Sequence, residues 1–286
     1  MPSPSATPNR WVAETRDETF AVDVFERSRE VPVIVDFWAT WCAPCRALGP
    51  VLEQLAAEFD GAFWLIKAET DHVPQAATEF GVSGIPAVYA VVGGEVVDFF
   101  QGALPEPAVR EWIQRVLQAW RFAEADRLEA TDPAAAEAIY RELHSQLPND
   151  SRISIGLARA LLAQQKTDDA RQEIATLEKR GFLEPEAERV KAALEIEALP
   201  DVDLGEAQRA AEAAPDDLPK QLALAEALIA HQQYEPALAI CLSVVERDFG
   251  QLREQARHLM VDVFRVAADQ EELVNTYRRK LSTALY

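Results

Sequence analysis

Val31–Ala39 reads VPVIVDFWA, a β-branched and aromatic run of nine residues interrupted in polarity only by Asp36. A strand of that kind is buried on both faces, so it needs helical layers above and below it. From Ala43 to Phe59 the apolar residues change period, falling at Leu48, Val51, Leu52, Leu55 and Phe59, the spacing of a helix. Ala62–Ala68 then reads as a strand and Val73–Phe80 as a short helix. Ala87–Val92 and Glu95–Phe100 read as two strands parted by Gly93-Gly94 alone, the signal of a tight antiparallel hairpin. A helix over Pro105–Leu117, with Val109, Trp112, Ile113, Val116 and Leu117 on one stripe, closes this half. The sum is an α/β unit, a mixed sheet with helices on both faces.

Beyond Arg121 the pattern changes. Seven of the 11 glycines lie before residue 121, and the remainder is rich in Ala, Leu, Glu, Gln and Arg with helical periodicity and almost no strand signal. A length of 286 residues suits two domains. Leu147-Pro148-Asn149-Asp150 aligns with Ala214-Pro215-Asp216-Asp217 at an offset of 67 residues, and Leu157…Ala170 aligns with Leu224…Ala237 at the same offset. Sixty-seven is close to twice 34, and 34 residues before Ala170 lies Ala136, in another small-residue helix start, Asp132–Ala138. The half resembles tetratricopeptide repeats, with a degenerate middle unit around Phe182–Ala213; the competing reading is a non-repetitive helical bundle. A solenoid presents a surface for polypeptides, although fold alone does not assign that use.

Composition excludes several function classes. Lys+Arg 28 against Asp+Glu 48 leaves a formal charge of −20, shared as −9 over residues 1–120 and −11 over residues 121–286, and such a surface repels phosphate backbones and anionic lipid. No window approaches the apolar length of a membrane span, and Met1–Arg10 lacks the apolar core of a signal peptide. Three cysteines are too few for a disulfide-stapled secreted scaffold. The expected compartment is the cytoplasm, with no nucleic-acid or membrane partner.

Trp41-Cys42-Ala43-Pro44-Cys45 sits where the buried strand turns into a helix. A cysteine pair there places the first sulfur near unpaired backbone N–H groups and the positive end of the helix dipole, which favours thiolate. Cys42 is therefore expected as the nucleophile, and Cys45, one turn on, as the thiol that resolves a mixed disulfide. Pro44 supplies a fixed φ where no N–H is needed. A metal half-site would need two more ligands; the third cysteine, Cys241, is far along the chain, and His72, His144, His231 and His258 have no ligand spacing, so no metal is expected. Asp36 stands in mid-strand, where a carboxylate is costly to bury. A buried carboxyl of raised pKa beneath Cys45 can accept the resolving thiol's proton, through water if necessary. Lys67 on the neighbouring strand is either a tuner of that group or a snorkelling surface lysine. Ile85-Pro86 is a candidate cis bond.

Asp36–Cys45 (DFWATWCAPC), followed by Pro50, Lys67, Asp71, Gly84-Ile85-Pro86, Gly93-Gly94 and Gly102-Ala103-Leu104, resembles thioredoxin in order and spacing. The resemblance covers roughly residues 12–120, after a tail over residues 1–11 expected to be disordered, and leaves 121–286 as the tetratricopeptide-like domain. It implies the thioredoxin fold, Cys42 attacking, Cys45 resolving, Asp36 as proton acceptor and Pro86 as the cis-proline facing the disulfide, with no cofactor. Ala43 stands where thioredoxin usually carries Gly, which bears on reductant strength rather than on dithiol chemistry.

The fusion of such a domain to degenerate helical repeats, ending in Ala284-Leu285-Tyr286, is similar to the bacterial chaperedoxins. That resemblance implies a holdase that binds unfolding or oxidised clients, shields their cysteines as mixed disulfides and passes them to chaperonin and Hsp70 systems. With both cysteines present, it also implies a disulfide reductase recharged by a thioredoxin reductase or glutathione. The alternative is a thioredoxin-like reductase whose repeats recruit one specific partner. Trp41 is expected exposed for client contact and Trp38 packed. Cys241, among Leu238, Ile240, Val244 and Val245, reads as a core thiol. Glu271–Tyr286 reads as a cap on the solenoid, and the family suggests that its apolar end, Leu281, Leu285 and Tyr286, docks on the chaperonin.

Overall fold

The computed structural model describes residues 10–285. Two compact units divide the chain, one up to Glu124 and one from Ala125. In the first, strands β1 (Val12–Glu14), β2 (Val33–Trp38), β3 (Trp64–Glu69), β4 (Ala87–Val92) and β5 (Glu95–Gln101) form one sheet in the order β1-β3-β2-β4-β5. β1 and β2 run parallel to β3, while β4 lies antiparallel to β2 and β5 to β4. The apolar run identified first is thus the central strand. Short helical segments over Ala21–Glu26 and Arg27–Arg29 and helices α1 (Ala43–Glu58), α2 (Pro74–Glu79) and α3 (Glu106–Leu128) accompany the sheet.

Strand alternation sorts the side chains into two cores. Ile34, Leu65, Val88 and Ala90 pack with Leu48, Leu52 and Leu55 of α1 and Val109, Trp112 and Ile113 of α3. Val33, Val35, Phe37 and Ala68 pack on the opposite face with Phe20, Val24, Val73 and Ala76. The β4–β5 turn uses positive φ at both Gly93 (64°) and Gly94 (89°), which glycine adopts without a Cβ penalty. Two features depart from the sequence expectation. The tail expected through residue 11 gives way at Arg10, because Arg10 and the Trp11 indole both bond Asp60, Trp11 packs edge-on against Trp64, and its carbonyl accepts from Leu65 N–H at 2.9 Å. Residues 1–9 lie outside the described residues. The helix expected to end at Leu117 continues to Leu128.

The second unit is all helical: α4 (Pro133–Gln146), α5 (Ser151–Ala163), α6 (Thr167–Glu178), α7 (Pro185–Glu197), α8 (Leu204–Ala213), α9 (Leu218–Ala230), α10 (Tyr234–Arg247), α11 (Gln251–Val266) and α12 (Glu271–Leu285). The 67-residue offset is built into its joints. Asp150 and Asp217 cap α5 and α9, their carboxylates accepting from backbone N–H of Arg152 and Lys220 at 3.0 and 3.3 Å. Arg180 donates to the carbonyls of Pro148 and Asn149, and Arg247, 67 positions on, donates to Pro215 O and Asp216 Oδ1. Gln165 and Gln232 take the same left-handed turn, at φ 60° and 59°. The Tyr140 ring lies where a Cβ on Gly156 would come within 2.4 Å of it, and the same offset places the small pair Ala207 and Ala223. The middle unit is present as α7 and α8, and α7 packs on α11 as well as α6.

Candidate functional site

Cys42 is the N-cap of α1, with extended backbone at φ −81° and ψ 108°. Its Sγ accepts from Cys45 N–H at 3.2 Å, so the sulfur does lie on the unpaired donors of the first turn. Cys42 N–H in turn donates to Ala39 O at 3.1 Å, which ties the cap to the end of β2. Cys42 and Cys45 are joined as a disulfide, each 4% exposed, and with Ala39 they pack against Trp38 and Ile85. Pro44 sits in the first turn. The Ile85–Pro86 bond is cis and stands just before β4, with the Pro86 carbonyl accepting from Gly102 N–H at 2.8 Å. Trp41, beside the sulfurs, is 68% exposed.

Asp36 lies in mid-β2, two residues from Ile34 and therefore on the face that α1 covers, opposite Lys67 of β3 and Val88 of β4. It is 2% exposed, and its Oδ1 has no hydrogen-bond partner among the described residues. Burial pushes its carboxyl from 3.8 up to about 7; Lys67 pulls the other way and Glu53 adds to the rise. Lys67 is not a free surface lysine. Its Nζ donates to Glu53 Oε1 of α1 at 2.7 Å and stands 4.9 Å from the centre of the Trp38 ring. Sequence reasoning missed Glu53. The only trace there is a carboxylate among the apolar stripe residues Val51, Leu52 and Leu55, and nothing in a linear pattern pairs it with a strand lysine.

The remaining candidates fall elsewhere. Cys241 is fully buried in the core of α9–α12, and burial pushes its thiol up to about 12. Leu281 is buried with Val274 and Tyr277 in that same core, and Leu285 packs at its margin. The C-terminal helix thus closes the repeat core. Tyr286 lies outside the described residues. Among the described residues no group of His, Cys, Asp and Glu gathers as a metal site would, and no helix is long and apolar enough to cross a membrane.

Comparison with known proteins agrees with the geometry. The thioredoxin family model matches residues 11–115, and two tetratricopeptide repeat models match residues 127–194 and 197–286. Thioredoxin 1 of Nostoc sp. (strain PCC 7120) is 37% identical over 105 residues, a stretch that covers 37% of this chain and 96% of the relative. Thioredoxin 1 of Chlorobaculum tepidum is 43% identical over 96 residues, or 34% of this chain and 95% of the relative. The chloroplastic thioredoxin M-type of Chlamydomonas reinhardtii is 38% identical over 101 residues, 35% and 71% respectively. A cysteine pair at a helix N-cap, within this sheet and among these relatives, supports thiol–disulfide oxidoreductase chemistry. The chain belongs to the thioredoxin family, its thioredoxin domain followed by tetratricopeptide repeats.

Proposed function

We propose that the chain is a chaperedoxin, which reduces disulfides in unfolding or oxidised proteins at Cys42 and Cys45 and holds those proteins with its helical half. The observation that carries the redox part is the Cys42–Cys45 disulfide at the N-terminus of α1, with Asp36 buried on the sheet face that the same helix covers. In the reduced protein the Cys42 thiolate attacks one sulfur of a client disulfide. A Cys42–client disulfide forms and the other client sulfur leaves as thiolate. The Cys45 sulfur then attacks Cys42 Sγ while its proton passes to Asp36, directly or through water. The Cys42–Cys45 bond forms, the second client sulfur leaves, and two electrons have moved from protein to client. Recharging the dithiol takes two electrons from a thioredoxin reductase or from glutathione. Trp41 stands at the rim to meet the client, and the cis peptide at Pro86 borders the path by which an extended chain would approach.

The fusion to a repeat domain supports the holdase part, since solenoid surfaces bind polypeptides. On this reading the protein works in the cytoplasm, shields client cysteines and hands clients to chaperonin and Hsp70 systems, with the apolar end of α12 as the docking element. Insulin reduction by the full chain should fall to background with Cys42→Ser or Cys45→Ser; wild-type activity no higher than either variant refutes the reductase. Aggregation of a heat-denatured client, followed by light scattering, should be suppressed even with both cysteines replaced, and no suppression removes the holdase. Cys45→Ala should accumulate mixed disulfides at Cys42 whose protein partners are many; a single stoichiometric partner would identify a recruiting scaffold instead.

A further inference from the structure

We infer that Glu53 is a positioning residue for the site: by holding the Lys67 ammonium, it keeps Asp36 basic enough to take the proton of Cys45. This rests on the reading of Asp36 as the proton acceptor. Asp36 and Lys67 are register partners on adjacent parallel strands, which puts their Cα atoms about 5 Å apart. A lysine so placed beside a buried carboxylate would ordinarily pair with it directly. Such a pair would fix the carboxylate as an anion and make it a poor base. The ammonium is instead 2.7 Å from Glu53 Oε1 and lies against the Trp38 ring, while Asp36 Oδ1 is left without a partner among the described residues. Two carboxylates compete for one cation, and the one on α1 holds it. Seen from Asp36, Glu53 offsets part of the Lys67 charge, and burial outweighs what remains.

The charged groups that act on Asp36 are Lys67 from β3 and Glu53 from α1; β4 contributes the uncharged Val88 at the register position. As Cys45 Sγ attacks Cys42 Sγ, the Cys45 S–H bond breaks and its proton goes to Asp36, the Cys42–Cys45 bond forms, and the client sulfur leaves with the electron pair of the broken bond. A carboxylate locked to Lys67 would drive that transfer less well, since proton-transfer efficiency follows the basicity of the acceptor.

The test is a titration of the full chain by 13C-carboxyl NMR, with the Asp36 resonance assigned by its loss in Asp36→Asn, alongside the pH profile of insulin reduction. Glu53→Gln should lower the Asp36 midpoint by about 0.5–1 pH unit and carry the acidic limb of the rate profile with it. Lys67→Met should raise the midpoint. The effect of Glu53→Gln should be markedly smaller when Lys67→Met is already present, because the cation it releases is gone. An equal effect with and without Lys67 means that Glu53 acts only as a distant charge, and no effect means that it does not act at all; either overturns the proposal. The Glu53 side chain is 43% exposed, so the variant has no core to disturb. The midpoint is read without turnover, so failure of the reductase reading is seen separately, as absent insulin reduction.

Discussion

Asp36 is a carboxyl 2% exposed in mid-strand, where burial is costly enough that the sequence alone marks it as a chemical group. The ion pair beside it was not legible, because Glu53 and Lys67 are joined across a helix and a strand, 14 positions apart. A carboxyl raised from 3.8 to about 7 also has a consequence for stability. Between those values the folded chain retains a proton that the unfolded chain has lost, so the contribution of Asp36 to stability is full below about pH 4 and is lost as pH rises to about 7. Asp36→Asn removes that slope. Urea unfolding of the oxidised proteins at pH 5, 6, 7 and 8 should show the variant gaining on wild type by up to about 1.4 kcal/mol per pH unit until pH 7 and by no more thereafter. A difference that stays flat across the range would refute the assignment.

Elements were legible where a period ran long and blurred where tertiary contact decided. The central strand, its helix and the glycine hairpin all follow local patterns. β1 has only three residues and exists through its pairing with β3, so no pattern announced it. The composition shifts near residue 121, but the helix runs through that shift to Leu128, so composition alone does not mark its end. The 67-residue offset is richer in the structure than in the sequence, since Arg180 and Arg247, and Gln165 and Gln232, repeat positions that share no local motif. Asp150→Ala and Asp217→Ala should therefore cost similar amounts, about 1 kcal/mol each in chemical denaturation of the helical unit. Gly156→Ala is a different case. Tyr140 is fully buried and its hydroxyl is tied to Glu129 at 2.6 Å, so the ring cannot swing away from the new methyl. A loss of roughly 1–3 kcal/mol is expected, measured the same way; a neutral variant would mean that the α4–α5 contact is looser than described.

At the scale of the whole molecule, two compact units with separate cores should unfold as two cooperative events. Oxidation cross-links residues only three apart, so it should stabilise the thioredoxin transition by no more than about 2 kcal/mol and leave the helical one unmoved. Ellman's reagent supplies the marker. In the reduced native chain Cys42 and Cys45 should react and Cys241 should not, and the third thiol should appear with the helical transition alone. Exposure of Cys241 together with the thioredoxin transition would show that the units are not independent. Burial of the reactive sulfurs has a further meaning. Cys42 and Cys45 are each 4% exposed while the neighbouring Trp41 is 68% exposed, so an approaching chain meets the indole before it meets sulfur. A bond inside a rigid, compact partner is screened by the partner's own surface; one on a loose strand can be threaded past the indole and brought in line with Cys42. On the proposed function, such a site would discriminate by steric reach, sorting disulfides by how far their surroundings have already come apart rather than by the residues that flank them.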